Sequence, residues 1–379
     1  MLLSYENIAH YLMEKDLIEL KSVINGTFSV RDQSSRNVNY VVNQEYSPAY
    51  LVKQVRTHDQ EKQATLRKEA TCYWLANNDQ SYLSLRKFLP RFIEYDYLHH
   101  ILILELLPDT QNLREYYRSK GILPVAFAEK LADLLASFHN YADNVLESEK
   151  SFSLFKKQKP WVFSLSEDKL SEWQENPALS KAEKQSGKLI LENKEFLDHL
   201  DRIKNEWEIK SLVHGDVKFP NFLVNSGSLS EEEPDIRLID WELADIGDPL
   251  WDVAAVIQSY LTLWILSEIE QKNKEDKFQV IINLNNVQPS IAAFWRRYTA
   301  SVHWEGVISH QYLKKTVRFT ALKLIHTCFE SVHEVTNMSL YSAKILQLSL
   351  NLLRRPDEAI RDLLGIRKPL ANHAKTDLS

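Results

Sequence analysis

Three side chains that end in oxygen or amide groups stand in a pattern suited to phosphate chemistry. Asp216 and Asn221 are five apart in His214-Gly215-Asp216-Val217-Lys218-Phe219-Pro220-Asn221, and Asp240 closes a later apolar run, Ile236 to Ile239. A magnesium ion takes hard oxygen ligands, commonly one or two carboxylates together with substrate phosphates. Asn221 and Asp240 supply one neutral and one anionic oxygen donor of that kind. Asp216 is then left to accept a proton from an attacking hydroxyl. Phosphoryl transfer asks a protein mainly to position groups and neutralise charge. A D-x-x-x-x-N is common in polar loops; it gains weight here because a hairpin and a second aspartate follow in order.

The elements that must position these residues can be read from the same stretch. Phe222 to Val224 and Ile236 to Ile239 are short strand-like runs joined by a loop containing Gly227 and Pro234. The loop, 226–235, exceeds the usual ~2–5 residues. An antiparallel hairpin still sets the start of its first strand beside the end of its second. Asn221 and Asp240 therefore meet at the open end, with Asp216 on the loop that enters it. A further apolar run, Ile209 to Val213, precedes that loop. Asp248-Pro249 reads as a helix N-cap and first helical residue, which puts Asp252 in the first turn, where it can brace the loop.

The first hundred or so residues predict strands around one helix. The strands fall at Phe28–Val30, Val38–Val42, Ala49–Val55, Phe92–Tyr97 and Ile101–Glu105. The helix runs from Gln60 to Ala76, with Leu66, Ala70, Tyr73 and Trp74 at helical spacing. Beyond it, amphipathic helices are expected over 124–140, 189–208, 250–268, 289–301, 312–335 and 338–354. Residues 145–187 are polar and carry few periodic signals.

Composition narrows the function classes. The 379 residues hold 46 Lys+Arg against 52 Asp+Glu, a net charge of -6, so there is no electrostatic footprint for duplex nucleic acid. Two cysteines cannot build a disulfide framework, and the start of the chain lacks a basic leader with an apolar stretch. A cytoplasmic protein without a membrane partner is expected. The run from Leu250 to Leu266 is broken by Asp252, Gln258 and Ser259 and reads as a buried helix. Of the eight glycines, the nearest two are Gly215 and Gly227. That spacing excludes G-x-G-x-x-G, G-x-x-x-x-G-K-[ST] and G-x-S-x-G everywhere in the chain. Any nucleotide must be held by other means.

HGDVKFPNFLV followed by LIDWELADIGDPLWDVA resembles the aminoglycoside phosphotransferase/choline kinase-like family of small-molecule kinases. In that family H-G-D-x-x-x-x-N precedes a hairpin and an I-D-[WFY]-E segment. The resemblance is specific over residues 210–255 and looser elsewhere. It implies an α+β, two-lobed protein-kinase-like fold, with a β-rich N-lobe over 1–107 and a mostly helical C-lobe over 108–379. The catalytic loop and hairpin would occupy 209–241. The implied activity is ATP- and Mg2+-dependent transfer of the γ-phosphoryl group to a hydroxyl of a small molecule. The acceptor would be aminoglycoside-like, an amino alcohol, a sugar or a secondary metabolite.

In the family's terms Asp216 is the base, and Asn221 and Asp240 hold Mg2+. Lys53 in AYLVKQV addresses the α- and β-phosphates, and Glu69 in LRKEATCYWLA is its partner. Glu61 competes less well for that place, since it lies near a helix start where an acid is favoured anyway. Adenine is expected against backbone groups of Glu105 to Leu107. The phosphate-covering loop, Asn25 to Asn37, offers only Gly26; Ser34, Ser35, Arg36 and Asn37 either reach phosphates or form a plain turn. His214 is expected to orient the loop. Lys218 either neutralises charge on the transferred phosphoryl or is an exposed loop lysine.

Two other readings stand beside this one. A Ser/Thr kinase acting on a peptide or protein draws on the Asp216-x-Lys218 arrangement, against which no A-P-E-like segment follows Asp240. A nucleotide-binding regulator without turnover is opposed by the intact set of Asp216, Asn221 and Asp240. The acceptor pocket is expected from the helices after 250 and from 145–187. Glu242 and Asp245 would attract a cation there, and Trp161, Trp173 and Trp207 are stacking candidates. His326 and His333 would lie ~10.5 Å apart along a helix, too far to share one metal ion, and are expected in the core or at the surface.

Overall fold

The computed structural model describes residues 1–33, 38–45, 48–55, 60–139, 154–166, 168–225, 234–273 and 281–367. Ser34 to Asn37, most of the hairpin loop and residues 145–153 lie outside the described residues.

Strand-forming runs near the start of the chain pair into one antiparallel sheet. Its strands are β1 (Ser29–Asp32), β2 (Val38–Asn43), β3 (Tyr50–Gln54), β4 (Phe92–Asp96) and β5 (Ile101–Glu105), in the order β1-β2-β3-β5-β4. The period of two along a strand sends Val38, Tyr40, Val42, Val52, Ile101 and Ile103 into one cluster and Leu102 and Leu104 into another. The second cluster packs on the helix Gln60–Asn78 through Leu66, Ala70 and Tyr73. The first is covered by the N-terminal segment through Ile8, Tyr11 and Leu12. With both faces covered, β5 reads apolar from Ile101 to Leu104.

This corrects the expectation of strands around a single helix. Two short helices, Ile8–Glu14 and Leu20–Ile24, precede β1. Segments of one or two turns are too short to show a clear helical period or to be stable alone. Tertiary bonds hold this segment in place. Gln54 Oε1 accepts the Leu3 N–H at 2.8 Å, and Tyr11 Oη donates to Asp96 Oδ2 at 3.0 Å.

Beyond the sheet, long helices surround a large core. They include Val125–His139, Lys181–Leu191, Lys194–Lys204, Leu250–Lys272, Leu284–Ser301, Gly306–Val332 and Leu340–Arg354. Three expected boundaries shift. The segment 189–208 is not one helix, because Asn193 caps a new start by accepting the Phe196 N–H. The helix expected from Pro289 begins at Leu284, behind a capping box of Asn283 and Asn286. The helix expected from 312 begins at Gly306. Leu250–Lys272 is long and apolar enough to cross a membrane by length and composition, but 89% of its apolar window is buried inside the fold. That is the setting of a core helix.

Two small sheets sit beside this core. They use β6 (Thr110–Asn112), β7 (Ser211–Val213), β8 (Phe222–Asn225), β9 (Ile236–Leu238) and β10 (Asp245–Gly247). One has the order β6-β8-β9, and the other pairs β7 with β10. The expected hairpin is β8–β9, with Phe222 opposite Leu238. The strands that flank the site from either sheet, β6 against β8 and β10 against β7, are three residues each, too short to announce themselves in sequence.

Candidate active site

The hairpin's open end is extended by one bond, from the Ile239 N–H to Asn221 O at 3.0 Å. This brings Asn221 and the residue after Ile239, Asp240, to the same end. Asn221 Nδ2 donates to Asp216 O at 2.9 Å and to Asp216 Oδ2 at 3.2 Å, which leaves Oδ1 as the acceptor of its amide. Asp240 takes a left-handed backbone, φ 70°, a conformation aspartate tolerates better than most residues. Its Oδ1 lies 3.6 Å from Lys53 Nζ.

Lys53 in turn bonds Glu69 Oε1 at 2.8 Å, and Glu69 is only 2% exposed. Burial pulls the Lys53 ammonium down, but the Glu69 and Asp240 carboxylates outweigh it and hold it above its usual value. Burial likewise raises Glu69 against the pull of Lys53. The strand, the helix behind it and the hairpin thus converge on one point. A carboxylate and an amide oxygen there suit a hard cation. Among the described residues no cluster of three or more His, Cys, Asp or Glu forms a protein-only cage.

Asp216 rides on a loop that is held from beneath. Asp252 is fully buried and accepts the His214 N–H at 2.6 Å and the Gly215 N–H at 3.1 Å, the bracing its place in the first turn implied. Burial alone would raise the Asp252 carboxyl; the hydrogen bond and charge of His139 reverse this and hold it below the ordinary range. His214 is also fully buried. Its Nδ1 accepts the Asp216 N–H at 3.3 Å and its Nε2 donates to Ile239 O at 3.0 Å. Burial lowers its pKa, in keeping with a neutral ring. His214 therefore ties the loop to the hairpin from below and has no free nitrogen.

Gly215 explains itself sterically: with φ 79°, an added Cβ would stand 2.5 Å from Leu243 O. Lys218 Nζ lies 2.7 Å from Asp216 Oδ2; burial lowers it, but the Asp216 charge prevails and raises it. The expected helix cap is displaced by one residue. Pro249 holds the cap position, and Asp248 Oδ1 accepts the Leu250 N–H at 3.1 Å while Oδ2 pairs with Lys315 at 2.7 Å.

Two cavities share Lys53 as a lining residue. One, of about 570 Å³, is lined by Val41, Leu51, Tyr73, Leu104, Glu105, Leu107 and Ile239. At its connector edge the Glu105 N–H goes to Arg91 O and the Leu106 N–H to Ala49 O. The Leu107 N–H has no partner among the described residues. The other, of about 770 Å³, opens on Asp216, Lys218 and Asp240 and is walled by Trp161, Trp173, His326, Phe329, Glu183, Glu242 and Glu330.

Several expectations change here. Trp207 packs in the core among Phe163, Trp251 and Phe319. Asp245 spends its carboxylate on the N–H groups of Lys157 and Gln158. His326, expected away from the chemistry, lines the cavity with its ring 5.8 Å from Trp161. Burial and the Lys323 charge hold His326 at about 4, so it is neutral. Lys323, which drew no attention in the sequence, donates to Gly215 O at 3.0 Å. A charged residue amid the apolar run TALKLIHTCF was its one signal.

The sequence matches the profile of the phosphotransferase enzyme family (APH) over residues 28–273, a span that includes Lys53, Glu69, Asp216, Asn221 and Asp240. The chain belongs to the phosphotransferase enzyme family. Among solved structures this phosphotransferase is similar to a choline kinase from Cryptosporidium parvum Iowa II. Identity is 15%, with 95% of this chain and 98% of that chain covered, at a TM-score of 0.53. It is similar also to the GDP and kanamycin complex of APH(2″)-IIIa, at 16% identity, 91% and 98% coverage and a TM-score of 0.46. A macrolide 2′-phosphotransferase from Brachybacterium faecium gives 11% identity, 91% and 98% coverage and a TM-score of 0.47. Comparison with curated protein sequences finds no match. At these identities the likeness is one of fold. The phosphotransferase has the α+β, protein-kinase-like architecture that its HGD and IDWE segments implied.

Proposed function

We propose that the protein is an ATP- and Mg2+-dependent kinase that moves the γ-phosphoryl group to a hydroxyl of a small molecule, with Asp216 as proton acceptor. The observation that carries this reading is the convergence of Asp216, Lys218, Asp240 and the Lys53–Glu69 pair on one cleft. Residues 1–107 serve as the nucleotide lobe and 108–379 as the catalytic and acceptor lobe. The base of the nucleotide enters the cavity beneath the sheet, where the Leu107 N–H is the available connector donor beside Glu105. Lys53, fixed by Glu69, addresses the phosphates.

Asn221 and Asp240 would hold Mg2+, which when bound neutralises phosphate charge. Asp216 takes the proton of the acceptor hydroxyl, and Lys218, in contact with it, offsets charge beside the reacting group. The acceptor enters the 770 Å³ cleft, within the ~300–1,000 Å³ range of small-molecule sites. Its aromatic wall and its acids would suit a cationic acceptor, and the likeness to a choline kinase supports a small one. The close Asp216–Lys218 pair favours a second reading, transfer to Ser or Thr of a peptide.

ADP release measured against hydroxylated amines, sugars and Ser/Thr peptides separates the two. Asp216→Ala is expected to lower transfer about 10²–10⁴-fold while Mg-nucleotide still binds. Loss of nucleotide binding in a folded Asp216→Ala variant would contradict these roles.

A further inference from the structure

We infer that Lys323 is a positioning residue for phosphoryl transfer, holding the peptide that carries Asp216 against the acceptor cleft. The inference rests on the reading of Asp216 as the base. Lys323 stands on Gly306–Val332 and is 6% exposed, where lysines are almost never buried unless paired. Its Nζ bonds Gly215 O at 3.0 Å and lies 4.2 Å from the ring centre of Trp251.

Gly215 O and the Asp216 N–H belong to one peptide group. Lys323 holds its oxygen and His214 Nδ1 its N–H, while Asp252 holds the N–H of Gly215 itself. Turning that peptide would swing the Asp216 side chain, so the bond to Lys323 sets the direction of the carboxylate. Lysine carries three donors, and a cavity of about 160 Å³ lined by Asp216, Lys218, Ser259, Lys323 and His326 adjoins them. His326 and Glu330 follow on the same helix face at i+3 and i+7. Acceptor contact and base orientation therefore share one helix.

The ammonium form makes the firm bond to the carbonyl. Burial lowers Lys323 to about 8, opposed by Asp252, Asp216 and Glu330 and helped by Lys218. Of the other groups facing it, His326 is neutral in this range and Lys218 is raised above its ordinary value. As pH rises through about 8 the hold on Gly215 O weakens.

The test is ADP release from MgATP with water as acceptor: water attacks the γ-phosphorus, its proton passes to Asp216, and ADP leaves. Rates are taken from about pH 6 to 10. The wild type is expected to lose kcat above about pH 8. Lys323→Arg stays charged throughout and is expected to lose that alkaline limb. Lys323→Met is expected to lower kcat about 10–100-fold at neutral pH with the nucleotide KM little changed. A wild type without the limb, a limb unmoved in Lys323→Arg, or full kcat in folded Lys323→Met overturns the inference. Should Lys323→Met fail to fold, Lys323→Arg decides alone. Asp216→Asn turning over like the wild type removes the base reading and this inference together. An inactive Asp216→Asn beside Lys323 variants that behave as wild type removes only the inference.

Discussion

Burial decides what each ion pair is worth at the scale of single residues. Lys53–Glu69 and Lys169–Glu172 both close to 2.8 Å, but the first has side-chain exposures of 14% and 2% and the second 40% and 63%. Removing one partner of a buried pair strands the other and typically costs about 3–5 kcal/mol. Asp240, 3.6 Å from Lys53, takes up part of that load. Glu69→Ala is therefore expected to lower stability by about 2–4 kcal/mol in urea unfolding and to weaken nucleotide binding. Glu172→Ala is expected to leave both unchanged. Lys53 was legible through the family resemblance, which asks for a lysine on the third strand; by itself a lysine on a strand is more often a solvated edge charge. Lys323 was not legible, since nothing within a helical segment records that its side chain will end on a carbonyl more than 100 positions earlier.

Among the elements, the loop between β7 and β8 governs the site. Its geometry depends on a left-handed Gly215 and on Asp252 beneath it. Gly215→Ala meets both the left-handed penalty of about 1–2 kcal/mol and a contact with Leu243 O that has no room to relax. It is expected to lower the Tm and to remove activity together. Ser180→Ala, which takes away the cap of Lys181–Leu191, is expected to cost about 1 kcal/mol and to leave kcat intact. Thermal melts and turnover on the two variants test the contrast. The hairpin was readable because strand period and turn residues are local. The single helix expected over 189–208 failed for a local reason too: Asn193 competes for backbone N–H groups and starts a new helix.

Across the whole molecule, groups buried by packing make stability depend on acid. His326 sits at about 4 in the folded protein against 6.5 ordinarily, because burial and Lys323 disfavour its charge. The unfolded chain therefore binds that proton first as pH falls. The stability contributed is complete above about 6.5 and is lost as pH drops toward about 4. His214, also lowered by burial, acts in the same direction. Asp96 loses its share later. Burial raises it, but hydrogen bonds from His99 and Tyr11 hold it at about 2, so its contribution drains as pH falls from about 4 toward 2. The Tm is expected to decline in two stages on acidification, and His326→Phe should flatten the first. A Tm series across pH that shows no difference between His326→Phe and the wild type would contradict this.

The sequence alone determined the strands of the sheet, the hairpin and the loop from His214 to Asn221. Each depends on residue types and periods within a few positions, so each leaves a local trace. Tertiary packing decided which distant side chains face the cleft. Trp161, Glu183 and His326 reach it, Lys323 reaches the smaller cavity beside it, and Trp207 and Asp245 reach neither. A side chain's neighbours depend on which other element packs against its face, and the chain does not encode that partner beside the residue itself.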